Sequence, residues 1–124
     1  MSYLLIFIGS GLGGVLRYLF GTSVQKLANG WIFPIGTLCV NTLGCLLVGL
    51  LAQLVESKGL FPRDQRLFIF VGFLGGFTTF SSFGYETVQL LRDGQWLYAS
   101  CNAFLQVLLG LVCVALGYFL GRLI

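Results

Sequence analysis

Histidine is absent from the 124-residue sequence, and the only carboxylates are Glu56, Asp64, Glu86 and Asp93. Without histidine, no Ser-His-Asp or Cys-His arrangement can be assembled, which removes the commonest nucleophilic enzymes. The acidic residues fall mostly at expected turns and helix ends. Proton-coupled transport usually needs an ionisable residue at mid-membrane, and none is evident in the first, second or fourth apolar segment. Charge is scarce throughout: 9% of residues are charged, against about 25% in soluble domains. The net charge of +3 is too small to suggest nucleic acid, and the basic residues form no polybasic cluster. Cys39, Cys45, Cys101 and Cys113 lie inside apolar runs with no Cys-x-x-Cys spacing, as small buried hydrophobes do. "GSGLGG" near the start lacks the strand-helix-strand setting of a dinucleotide fingerprint.

What is present is apolar surface. Hydrophobic residues make up 57% of the chain and the mean hydropathy is +0.95. At roughly 20 residues per span this length holds about four membrane helices and leaves no room for a separate catalytic module. The expected fold is therefore an all-α integral membrane protein with a single transmembrane domain over residues 1–124. The N-terminal apolar run has no basic residue ahead of it, which favours a retained first span over a cleaved signal peptide. Spans are expected at about 3–20, 34–55, 65–91 and 96–120. "TSVQKLANGWIF" reads as a polar connection ending at an interfacial Trp31, and "ESKGLFPRD" as a turn. The second span has 22 positions, which at about 1.5 Å each give roughly 33 Å. Counted by side, Lys58, Arg63, Arg66 and Arg122 stand against Arg17, Lys26 and Arg92, close to no asymmetry for orientation. A chain that inserts both ways can form an antiparallel homodimer.

Polar side chains at membrane depth are costly, so each is a functional candidate. Thr37 and Asn41 share a helix face. "GFLGGFTTFSSFGYE" (residues 72–86) places Gly75-Gly76 and Thr78-Thr79 inside an apolar run. That predicts a break at the glycines, with freed carbonyls that must meet protein, water or an ion. Phe77, Phe80 and Phe83 recur every third residue and are expected to stack on one face, either offering positive ring edges to an anion or serving as an aromatic packing stripe. Glu86 suits either a helix end near the interface or a buried network with Thr or Ser hydroxyls. Tyr98, Asn102 and Gln106 make a polar stripe on the fourth span, whose carboxamides could replace water around a small anion. The plainer alternative for these amides is gluing helices together.

The segments "GGVLRY", "FPIGTLCVNTLG" and "GFLGGFTTFSSFGYE", in this order and spacing, resemble the small bacterial fluoride channels called Fluc or CrcB. The resemblance implies a passive, fluoride-selective channel, not an enzyme, that exports fluoride across the bacterial inner membrane. It implies a dual-topology homodimer of four-helix subunits with a broken third helix, two antiparallel pores and a central structural sodium ion. The partners implied are fluoride, a second copy and the bilayer, with no nucleic acid. Carried over by motif, backbone carbonyls of Gly75 and Thr78 would hold the sodium, Phe80 and Phe83 would meet fluoride, Asn41 would be the pore amide and Arg17 the vestibule cation. Thr37, Thr79, Ser81 and Glu86 match positions that line or support the pore. On the fourth span the family often carries hydroxyls where this chain has Asn102, Gln106 and Gly110. Two rivals remain. A proton-driven small multidrug exporter would need a carboxylate in the first span, which "YLLIFIGSGLGGVLRYLF" lacks; an assembly subunit would use the polar groups only as glue.

Overall fold

The computed structural model describes residues 1–124, and they form helices joined by short turns. Four helical stretches are long and apolar enough to cross a membrane. α1 is Ser2–Leu27 and α2 is Ile35–Lys58. The third stretch, Arg63–Arg92, is made of two pieces: α3, residues 63–77, and α4, Phe80–Arg92. α5 is Trp96–Leu123.

α1 continues through the first residues expected to form a polar connection. The Ser23 hydroxyl donates to the Leu19 carbonyl at 2.6 Å, so its polar group is satisfied within the helix. Gln25 then ties the turn together. Its Nε2 donates to the Phe33 carbonyl at 3.2 Å, and its Oε1 accepts the Gly36 N–H at 3.0 Å, an otherwise orphan donor at the start of α2. With α1 ending at Leu27, Arg17 lies ten residues from that end, about 15 Å along the axis, deeper than the expected boundary put it.

Two helix pairs make the frame, each packed backbone to backbone. α1 lies against α3: a Cβ on Gly13 would collide with the Phe73 carbonyl, and one on Gly76 with backbone atoms of Ser10. α2 lies against α5 in the same way, through Gly49 at Val114 and Gly117 at Leu46. Lipid tails are as apolar as the side chains, so close van der Waals contact across small residues holds such helices together.

The third stretch breaks elsewhere than expected. Gly75 and Gly76 are helical; the break is at Thr78 (φ −79°, ψ 156°) and Thr79 (φ −148°, ψ 118°), both extended. The glycines mark the close approach to α1, not the interruption. Before them, Leu67–Leu74 forms an eight-residue π-helix, in which the Gly75 N–H reaches the Phe70 carbonyl five residues back. The expected stripe of three phenylalanines is also divided by the break. Phe77, on the α3 side, is buried against Phe73 and Phe20, while Phe80 and Phe83 begin α4 with ring centroids 5.4 Å apart and planes at 67°.

Candidate functional site

At the break the backbone loses its helical partners, and in an apolar medium each such group must be paired. Asn41, six residues into α2, supplies most of the pairing. Its Oδ1 accepts the Thr79 N–H at 2.8 Å, and its Nδ2 donates to the Thr79 carbonyl at 2.9 Å. The second Nδ2 hydrogen is directed to Gln106 Oε1 on α5, 3.0 Å away. One carboxamide thus joins α2, the break and α5. Thr79 also caps α4, its Oγ1 accepting the Ser82 N–H at 3.1 Å. Ser81, exposed, lies with its hydroxyl 3.3 Å from Thr79 Oγ1. Thr78 bonds back into α3 through its hydroxyl, 2.9 Å from the Leu74 carbonyl, while its own carbonyl accepts from Arg17 Nη1 at 3.2 Å.

Two cavities flank the break. A polar cleft of about 370 Å³ is lined by Arg17, Gln25, Thr37, Thr79, Ser82 and Glu86 among others. Within it the Thr37 hydroxyl donates to Glu86 Oε1 at 2.6 Å, the network anticipated for this glutamate, and Glu86 Oε2 is buried without a protein partner. An inner cavity of about 310 Å³ is lined by Asn41, Cys45, Thr78, Thr79, Phe80, Phe83 and Gln106, closed by Val48, Val107 and Val114. Thr79 is the one residue lining both cavities.

The stripe on α5 divides. Gln106 is only 9% exposed and reaches the inner cavity, where its Nε2 has no partner. Asn102 is fully buried and lines neither cavity; its Nδ2 donates to Thr87 Oγ1 at 2.9 Å, joining α5 to α4. Tyr98 packs on Phe33 at the outer end of the bundle. Several lining residues lay outside the candidate set, Ser82, Cys45 and Gln25 among them. Ser82 carried a signal, since it stands three residues after a threonine at a helix start, the spacing of a capping pair. Cys45 lies one turn beyond Asn41 on the same helix face and could have been placed by that spacing. Gln25 had no sequence signal.

The chemistry of these groups favours a small anion in the cavities. Guanidinium, amide N–H and ring edges present positive charge, while the one carboxylate, Glu86, has one oxygen held by Thr37 and the other unpartnered in the cleft. No group of three His, Cys, Asp or Glu side chains is arranged to hold a metal. Backbone oxygens are a different matter. The Thr79 N–H that would close a helical turn onto the Gly75 carbonyl goes to Asn41 instead. The carbonyls of Gly75 and Thr78 therefore fit a hard cation, which takes neutral oxygen ligands, with Arg17 occupying one lone pair of Thr78.

The chain is 42% identical over 123 residues to the "Fluoride-specific ion channel FluC" of Maridesulfovibrio salexigens, covering 99% of this chain and 97% of the relative. It is 45% identical over 116 residues to a protein of the same description from Nitrosococcus oceani (93% and 92% covered), and 43% identical over 117 residues to "Fluoride-specific ion channel FluC 3" of Methanosarcina barkeri (94% and 86%). The family model described as CrcB-like protein, Camphor Resistance (CrcB), matches residues 4–118, and the chain belongs to that family.

Proposed function

We propose that the protein is a passive fluoride channel, not an enzyme, working as an antiparallel homodimer with two pores in a bacterial inner membrane and letting fluoride leave the cytoplasm. The observation that carries this reading is the donor-rich line running from the Arg17 cleft, past Thr79, into a cavity walled by Phe80, Phe83 and Gln106. The descriptions of the relatives supply the identity of the ion.

Fluoride is small and strongly hydrated, so it enters a narrow path only where preorganised donors replace its water. Arg17 draws anions to the cleft, and the hydroxyls of Thr37, Thr79 and Ser81 and the amides of Asn41, Gln106 and Asn102 form or support the polar track. Phe80 and Phe83 meet edge to face, which leaves ring hydrogens to turn toward the ion without binding it too tightly to leave. Glu86 holds Thr37 in place. A sodium ion held by the Gly75 and Thr78 carbonyls would add fixed positive potential beside the path.

Two features support the dimer. Basic residues are nearly balanced between the two sides, four against three. Gly75 is exposed close to the irregular backbone of the break, which is not tolerated against lipid and is well suited to cover by a second copy. The exporter reading lacks its carboxylate, since α1 contains no acidic residue.

The test is ion efflux from proteoliposomes loaded with fluoride or chloride salt, with valinomycin carrying the counter-charge. Fast fluoride efflux with negligible chloride efflux is expected. A folded protein that releases neither ion would overturn the channel reading.

A further inference from the structure

The inner cavity contains a donor set that differs from the set of amides read along the chain. Asn41 has two N–H groups and both are committed, one to the Thr79 carbonyl and one to Gln106 Oε1. Its Oδ1 is committed as well, to the Thr79 N–H. Nothing on Asn41 is left for an ion. The same bond fixes the polarity of Gln106: with Oε1 held by Asn41, the Nε2 group is free, and it is buried without a partner at the wall of the cavity. A buried unpaired donor costs free energy unless something polar meets it.

One helical turn further along α2, about 6 Å deeper, the Cys45 thiol lines the same cavity. On the facing α5, Gly110 stands one turn beyond Gln106 and contributes no side chain; a Cβ there would sit 3.6 Å from Cys45 Sγ. The thiol thus faces position 110 at ordinary contact distance and presents a weak S–H donor to the cavity. Beyond it the wall is valine, Val48 and Val114.

We propose that a small anion crosses the inner cavity from the Gln106 amide to the Cys45 thiol, and that Asn41 is a positioning residue that aims Gln106 without touching the ion. Cys45 is then the last donor before the apolar end of the cavity. This rests on the anion-channel reading above, and the experiment separates the two.

In a variant with Cys39, Cys101 and Cys113 replaced by alanine, Cys45 is the only thiol. Its modification by methyl methanethiosulfonate in proteoliposomes is followed by mass spectrometry, in fluoride or in chloride at equal ionic strength, alongside fluoride efflux. Modification slowed several-fold by fluoride but not by chloride, with efflux lost once the thiol is capped, is the expected result. A variant that conducts fluoride while Cys45 reacts at the same rate in both salts, or conducts unchanged after capping, overturns the proposal and leaves the channel standing. A protein that conducts no fluoride removes both. Gln106→Glu adds a second arm, because it keeps the acceptor for Asn41 and loses both N–H donors. Its fluoride efflux is expected to fall at least roughly tenfold with the assembly intact, as loss of hydrogen bonds to an ion implies. Wild-type efflux through an intact Gln106→Glu variant would reject Gln106 as the donor.

Discussion

The Asn41 side chain bonds both backbone groups of Thr79, the N–H at 2.8 Å and the carbonyl at 2.9 Å, as a neighbouring β-strand would. A single amide therefore pairs both backbone groups of an extended residue within a membrane span, where such groups must find partners.

Replacing Asn41 by Ala leaves the Thr79 N–H and carbonyl unpaired. Each orphaned buried group costs about 1–3 kcal/mol, so a large loss of thermal stability in detergent is expected. Asn41→Asp, which keeps the acceptor but not the donors, should fall between wild type and Ala. Equal melting temperatures for all three would show that the pairing contributes nothing.

Phe80→Ile is predicted to abolish or greatly slow fluoride efflux while the protein elutes as wild type, since an aliphatic side chain of similar bulk has no positive ring edge. Phe83→Ile should act in the same direction, because the two rings meet edge to face. Normal efflux through an intact Phe80→Ile protein would count against ring-edge conduction.

Thr79→Ala removes the cap of α4, worth about 1 kcal/mol, whereas Thr79→Ser preserves the hydroxyl. Hydrogen exchange at the amides of residues 80–82 should speed up in the Ala variant and stay close to wild type in the Ser variant.

Gly13→Ala forces a methyl group into the Phe73 carbonyl and is expected to cost at least about 1–3 kcal/mol. Gly11→Ala, two positions earlier with open space around it in the subunit, should be tolerated within the folded chain. Comparable unfolding of both variants would refute the backbone-contact account of the α1–α3 seam.

Arg17→Gln should lower fluoride efflux most at low ionic strength, because attraction by an accessible charge is screened as salt rises. An effect of the same size at low and high salt would point to the lost Thr78 carbonyl contact instead.

Much of the fold was readable because the bilayer demands long apolar runs: all four spanning stretches were anticipated, and their ends differ where local bonding extends them. Ser23 shows why. A hydroxyl that bonds to its own helix is polar in composition yet helical in structure. That Glu86 could meet a hydroxyl was legible as one of two readings, and the structure supplies Thr37 as the partner. The position of the break was not. Thr78 and Thr79 are no poorer helix formers than many neighbours, and the extended backbone of Thr79 is paired by a residue 38 positions away in sequence, Asn41. The separation of Asn102 from Gln106 was equally hidden. Both lie on one face of α5, and only the placement of α4, with Thr87 beside Asn102, turns one into a tie between helices and leaves the other at a cavity.

Where α1 meets α3, main chain touches main chain, with no side chain between to bend or repack. The guanidinium of Arg17 is carried by one of these helices and the Thr78 carbonyl by the end of the other. Their spacing is set like the gap of a vernier, by two rigid scales in direct contact. Fluctuations in the surrounding lipid would tilt the pair as one body and leave the field at the break nearly constant.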